Sequence, residues 1–506
     1  MTVEEGAAAA PIQPPLGPRL AAALVFGSSG AVLVVELVSL RLLAPYLGLT
    51  LETSTLVIGI ALAAIAAGAW LGGRAADSTD PRRLLAPLLA ASGIAVSLMP
   101  VLVRGVGEVA GAGVFLFGAL AILVPGALLS AVSPIVAKLR LSDLSDTGSV
   151  VGGLSGIGTV GAIAGTVLTG FVFVSAFPVS ALLVGLGVLL VLAAVALETH
   201  LRRGARRALP VLLLLPGALG AAWGPGDCDV ETVYHCARVV EDENRSAGRL
   251  LVLDGIRHSY IDLEDPTHLE FDYVGALAAV ADTVRPAKEP LTAYHLGGGG
   301  LTLPRWLAHE RPGTTSVVSE IDAGVLEVDV ERLGLVTGPQ LEVRVEDGRV
   351  GLRRIADASQ DLVVGDAFGG LSIPWHLTTR EALTDVRRVL AVDGTYAANL
   401  IDFGTLGFAR AELATLRSVF EYVVLAADPG TVARDADGGG NLVAVASQSP
   451  IDTGALASRM VERGLDWQVL DGAALDAWIG DAMVLTDDHA PVDQLLTPYP
   501  PQPRLP

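Results

Sequence analysis

Four glycine or acidic positions recur where short β-branched runs end, and together their types suit a nucleoside site. Gly297-Gly298-Gly299-Gly300 follows the run Leu291–Leu296 and leads into a helical pattern from Thr302. Glycines there let the backbone approach a ligand, and the amides of the next helix lie beyond them. Glu320 closes the following run about twenty residues later, where a carboxylate can accept both hydroxyls of a ribose. Asp347-Gly348 closes Leu341–Val345, a place from which a carboxylate can meet an adenine amino group. Asp366 closes Asp361–Gly365. A carboxylate within hydrogen-bond reach of an ammonium can take the proton that blocks attack by that nitrogen. Each acid alone could be a cap or a surface residue; all of them in register point to a nucleoside pocket.

The elements that must position these residues alternate short apolar runs with amphipathic stretches, from about residue 225 onward. A β-hairpin is predicted at Arg249–Asp254 and His258–Leu263, then strands at Leu291–Leu296, Thr315–Ile321, Leu341–Val345, Asp361–Gly365 and Thr395–Leu400, with helical segments between. The period is Rossmann-like and implies a parallel sheet, in which ligands lie beyond the carboxyl ends of the strands.

The front of the chain has another character. Stretches long and apolar enough to cross a bilayer are read at Leu20–Ala44, Thr53–Gly73, Leu84–Val103, Gly111–Ala137, Val150–Phe173, Val179–Leu197 and Ala208–Trp223, the last interrupted by Pro210 and Pro216. Glycines such as Gly156, Gly161 and Gly165 allow close helix approach in lipid, so an all-α bundle of about seven membrane helices is expected. The organisation predicted is a disordered tail at 1–18, a membrane domain at 19–224 and an α/β domain at 225–506. Ten Lys or Arg, from Arg19 to Arg207, fall in alternate loops, against Arg104 and Arg41 on the other side. That asymmetry puts the N-terminus in the cytoplasm of a multi-pass protein of the cell membrane. Seven crossings put the C-terminal domain outside; failure of the short seventh leaves it inside. The net charge of −20 lies in the C-terminal part, which repels phosphate backbones and excludes nucleic acid as a partner. The only two cysteines, Cys228 and Cys236, are candidates for one local disulfide or for two thiols.

Leu253-Asp254-Gly255, the glycine run, Ser319-Glu320-Ile321-Asp322, Val345-Glu346-Asp347-Gly348-Arg349 and Val363-Val364-Gly365-Asp366 occur in an order that resembles the spermidine synthases, the polyamine aminopropyltransferases. The resemblance spans about Thr232–Asp402 and implies a class I AdoMet-transferase fold with an N-terminal β-hairpin. The membrane front and Thr486-Asp487-Asp488-His489-Ala490-Pro491 resemble the fused membrane spermidine-synthase-like proteins of bacteria. No metal is expected, since the Asp-Asp-His cluster has no second ligand group nearby in sequence.

The resemblance implies that Gly297, Gly298, Gly299, Glu320, Asp347 and Gly348 hold decarboxylated AdoMet or AdoMet as co-substrate. It further implies that Asp366 is the proton acceptor and that the partner is a small amine. Tyr234-His235 stands where the family has Tyr-Gln, making His235 a nucleoside contact and Tyr234 a substrate candidate. The family's dimers imply a homodimer, and the membrane front implies the lipid bilayer as a partner.

Two family acids are replaced. Gly300 stands where an aspartate grips the aminopropyl ammonium, and Gly369 where one holds the far amine of the acceptor. A dication leaving water needs carboxylates, which makes Asp254, Glu270 and Asp272 the substitute acceptor ligands. Three readings stand open: aminopropyl transfer with a relocated acceptor site, another AdoMet-dependent transfer such as methylation, and a membrane-tethered polyamine- or nucleoside-binding or transport-coupled module without catalysis.

Overall fold

The computed structural model describes residues 16–47, 51–107, 113–141, 146–174, 177–202, 228–434 and 438–496. The chain divides into two compact units, Met1–Leu43 with Thr53–Pro225, and Ala44–Glu52 with Gly226–Pro506.

The first unit is all helical. Its helices are Pro18–Leu47, Leu51–Ser78, Pro81–Gly107, Gly113–Ser130 followed by Val132–Arg140, Thr147–Leu168 followed by a π-helical turn at Thr169–Phe173, and Val179–Arg202. The first starts at Pro18, so the last residue of the expected tail is helical. Among the described residues, six spans are long and apolar enough to cross a membrane, rather than seven. The expected seventh, Ala208–Trp223, lies outside the described residues.

Glycine spacing explains how two of these helices meet. A Cβ on Gly161 would lie 2.3 Å from the Phe26 carbonyl oxygen, and one on Gly165 would lie 2.5 Å from that of Gly30. These positions share one face of Thr147–Leu168, and only hydrogen at Cα permits this approach to Pro18–Leu47. Gly152 and Gly156 have nothing within 4 Å of such a Cβ.

The second unit holds two sheets. Strands β1 (Val230–Glu231), β2 (Cys236–Asp242), β3 (Arg245–Leu253) and β4 (Ile256–Asp262) form an antiparallel sheet in that order. The predicted hairpin is its β3–β4 half. The larger sheet contains β5 (Thr292–Leu296), β6 (Thr315–Glu320), β7 (Leu341–Val345), β8 (Gln360–Gly365), β9 (Leu390–Phe403), β10 (Tyr422–Ala427), β11 (Gly439–Ser447) and β12 (Gln468–Leu470), in the order β12-β10-β11-β9-β8-β5-β6-β7. It is mixed, not all parallel: β5 to β9 run parallel, while β11 is antiparallel to both β9 and β10, and β12 to β10.

Alternate side chains bury on opposite faces of this sheet. Tyr294, Val363, Tyr396 and Leu400 enter one core with Phe408 and Leu413. Ala293, Leu362, Val364 and Ala397 enter the other, against Leu277, Trp306 and Leu307. Each fully buried aliphatic contributes roughly 1.5–3 kcal/mol, and a one-residue slip would exchange the two sets. The strand ends are thereby fixed in register.

Gly165→Val should force the first and fifth spans apart, at a cost of about 1–3 kcal/mol, seen as a lower melting temperature of the full-length protein in detergent. Gly156→Val should melt like the parent. Equal losses from both substitutions would contradict the packing described here.

Candidate active site

Strand register gathers the acids. Leu296 pairs with Ser319 and with Gly365, Glu320 with Val345, and Gly365 with Ala398. The residues that follow, Gly297, Asp366 and Asn399, therefore stand side by side at the carboxyl edge, with Glu320 next to them. Gly297 has φ +92°, and a Cβ there would lie 2.3 Å from the Asp366 carbonyl oxygen, so the glycine loop crosses directly over the end of β8.

A narrow cleft beyond this edge is lined by Gly297, Gly298, Gly299, Glu320, Asp347, Gly348, His235 and Asp366. The structure thus brings every expected nucleoside-site residue to one place. Glu320 accepts hydrogen bonds from the amides of Gly298 (2.8 Å) and Gly299 (3.3 Å) through Oε2, and from that of Asp322 (2.8 Å) through Oε1. Its carboxylate is clamped to the glycine loop. Asp347 caps the helix Gly348–Leu352, accepting from the Val350 amide at 3.0 Å, and its Oδ2 lies 2.8 Å from His376 Nε2. Burial raises its pKa, but the Val350 and His376 bonds outweigh that and hold it below the ordinary carboxylate range.

His235 is placed by Asp254, whose Oδ2 is 2.8 Å from Nδ1 and whose Oδ1 accepts the Cys236 amide at 2.9 Å. Burial lowers the His235 pKa, yet Asp254, Asp322 and Glu320 push harder the other way, and the imidazole ends above its usual value. Asp254 lines neither chamber of the site and instead orients His235. Tyr234, 40% exposed, lines neither chamber as well, because the turn that points His235 inward sends its neighbour out. Cys228 and Cys236 form a disulfide with Cα atoms 5.2 Å apart, closing the loop that carries Tyr234 and His235.

A second, wider chamber of about 590 Å³ adjoins the cleft and shares His258, Asp366 and Phe368 with it. Glu270 and Asp272 line its exposed rim; Glu270 is 3.1 Å from His268. Asp366 stands at the junction. Its Oδ1 accepts from Asn399 Nδ2 at 2.9 Å, Asn399 Oδ1 accepts from Asn441 Nδ2 at 2.9 Å, and the Tyr273 hydroxyl also bonds to the Asp366 carboxylate. Burial raises the Asp366 pKa to about 6 against the lowering effect of Asn399 and Tyr273. The nearby His258 is pushed down to about 4, mainly by burial and also by the charge of His235, so this imidazole is neutral. A carboxylate with a pKa near neutrality, at the meeting point of two chambers, can exchange a proton with a group that enters from either. Asn399, Asn441, His258 and His376 were not among the sequence candidates. Their roles come from pairing between distant segments, although Asn399 lies in a predicted strand beside Asp366.

No family model matches the chain. It is 31% identical over 194 residues to the polyamine aminopropyltransferase of Vibrio vulnificus, covering 38% of this chain and 63% of that protein. With a probable polyamine aminopropyl transferase of Bifidobacterium longum it shares 26% identity over 280 residues, 52% of this chain and 61% of that one. The chain is thus similar to polyamine aminopropyltransferases over part of its length. A probable spermidine synthase from Corynebacterium glutamicum aligns at 28% identity and a TM-score of 0.48, covering 52% of this chain and 97% of that one. The matches to both curated relatives thus span less than two thirds of their lengths.

Against that family background, the space at position 300 is filled from the antiparallel sheet. A Cβ on Gly300 would lie 2.3 Å from Ile261 Cδ1 and 2.9 Å from Ser259 Cβ, and the Gly300 amide donates to Ser259 Oγ at 3.0 Å. A spermidine-synthase-like aspartate does not fit there without movement of β4. At position 369 there is room: nothing comes closer to such a Cβ than 4.0 Å. Asp487 of the Thr486–Pro491 segment pairs with Arg349 at 2.7 Å and accepts from Thr379 at 2.7 Å. No cluster able to hold a metal occurs among the described residues.

Gly300→Asp should therefore destabilise the protein by about 1–3 kcal/mol, read as a lower melting temperature. Adding Ile261→Ala should recover part of that loss. An unchanged melting temperature in the single variant would contradict the overlap.

Proposed function

We propose that the α/β domain transfers the aminopropyl group of decarboxylated AdoMet to an amine, within a protein whose six apolar helices cross the cell membrane several times with the N-terminus in the cytoplasm. One observation carries this reading: Asp366, with its pKa raised to about 6, is held by Asn399 and Tyr273 where the two chambers meet. The narrow cleft suits the nucleoside. Glu320 offers its carboxylate to the ribose hydroxyls, Asp347 to the adenine amino group, and His235 a ring nitrogen directed at the same ligand. The residues present fit that half of the co-substrate.

In the reaction, an acceptor ammonium in the wide chamber gives a proton to ionised Asp366. The freed lone pair attacks the aminopropyl carbon bonded to sulfur. A C–N bond forms as the C–S bond breaks, and sulfur keeps the electron pair, leaving neutral methylthioadenosine. The second proton on the new secondary ammonium stays with the product. The Tyr273 hydroxyl and the Asn399 amide hold the carboxylate in line, so the geometry needs little rearrangement when the proton arrives.

Two features favour other readings. Gly300, with Ile261 and Ser259 filling the space beside it, removes the expected grip on the aminopropyl ammonium and also a repulsion against the carboxylate of AdoMet, as methyl transfer would require. The Cys228–Cys236 bridge suits an oxidising compartment and an extracytoplasmic binding module.

Incubating the purified full-length protein with an amine and either decarboxylated AdoMet or AdoMet, followed by mass spectrometry, separates these readings. Methylthioadenosine and an amine enlarged by an aminopropyl group are expected, with Asp366→Asn reducing the rate by about 10²–10⁴-fold. S-adenosylhomocysteine would indicate methyl transfer. No product from either co-substrate, with nucleoside still bound, would leave the binding module.

A further inference from the structure

We infer that Asp428 holds a second cationic group of the acceptor, so that the wide chamber selects an amine longer than a four-carbon diamine. This rests on the aminopropyl-transfer reading. A polyamine needs a carboxylate for each ammonium that leaves water, and position 369 supplies none. The chamber of about 590 Å³ nevertheless carries a further acid, because Asp428 is among the residues that line it.

Its place in the sheet sets the distance. Gly365 pairs with Ala398, Ile401 with Asn441, and Ala426 with Val443. Asp366 thus lies level with Ala426 across three strand spacings, about 14 Å, and Asp428 stands two residues further along, so the two main chains are about 16 Å apart. Both residues line the same chamber, at a separation well beyond the reach of a short diamine. A four-carbon diamine spans roughly 6 Å between nitrogens at ordinary bond lengths. A triamine reaches.

The wall between the two acids suits methylenes. Ile401 and Phe403 line it, with Asn399 and Asn441 supplying the polar floor. Asp428 also caps the short helix Pro429–Ala433, accepting from the Thr431 amide at 3.1 Å and from its hydroxyl. Those bonds fix the carboxylate without neutralising it, and no Lys, Arg or His pairs with it among the described residues. Glu270, by contrast, is already paired with His268 at the rim. Arg257, stacked over Phe271, is the lining cation and belongs to the same rim.

Calorimetric titration of the full-length protein with methylthioadenosine present tests the assignment. The probes are a four-carbon diamine and a triamine extended by one aminopropyl unit. The parent should bind the triamine at least about tenfold more tightly, the worth of one charge-assisted contact. Asp428→Asn, which can still cap the helix, should bring the two amines within about threefold of each other. Thr431→Val, which removes the hydroxyl that Asp428 engages but keeps the charge, should retain the preference. Equal binding of both amines by the parent, or an unchanged preference in Asp428→Asn, would overturn the assignment. Turnover of the diamine would then still uphold the transfer reading. If neither amine binds, both the assignment and that reading fall.

Discussion

The site depends on one hydrogen-bonded series, Asn441 to Asn399 to Asp366, running across three adjacent strands of the mixed sheet. A carboxylate buried without donors would cost several kcal/mol to ionise. Asn399 and Tyr273 offset part of that cost and burial opposes the rest, leaving Asp366 with a pKa of about 6. The series exists because β8 lies beside β9 and β9 beside β11, and those pairings are held by side chains buried on both faces. Sheet register therefore sets the surroundings of Asp366.

The same constraint explains how the narrow cleft keeps its main-chain contacts while position 300 changes. The glycine loop is tied to Glu320 by two amides and passes over Asp366 at Gly297, contacts that use main-chain atoms and tolerate changes in neighbouring side chains. Position 300 instead faces β4, where Ile261 and Ser259 occupy the volume an aspartate would need. The wide chamber is lined by β4, β9, β11 and the segment Glu270–Tyr273, elements outside the glycine loop, and meets the narrow cleft at His258, Asp366 and Phe368.

Much of this arrangement was legible in the sequence. The glycine run, Glu320, Asp347 and Asp366 each follow a short apolar run, and strand ends are where a parallel sheet exposes its residues. Glu270 and Asp272 were read from the sequence as acceptor ligands, and both line the wide chamber. What escaped depends on pairing across long separations. Asn399 and Asn441 sit 42 residues apart, and nothing in either segment announces the partner. Asp254 reads as a candidate acceptor ligand until the loop carrying His235 folds back onto it. The antiparallel β10–β12 edge likewise has the composition of further parallel strands, because burial on both faces removes the alternation that would distinguish them.

The most direct test is the pH dependence of single-turnover methylthioadenosine formation by the full-length protein, with Asn399→Leu as comparison. A protonated Asp366 cannot accept the proton, so the rate should rise with pH through a midpoint near 6. Losing the Asn399 donor removes a bond that stabilises the carboxylate, so the midpoint should move to higher pH in the variant. A limb that stays near the ordinary carboxylate range, or that does not move in Asn399→Leu, would contradict Asp366 as the proton acceptor.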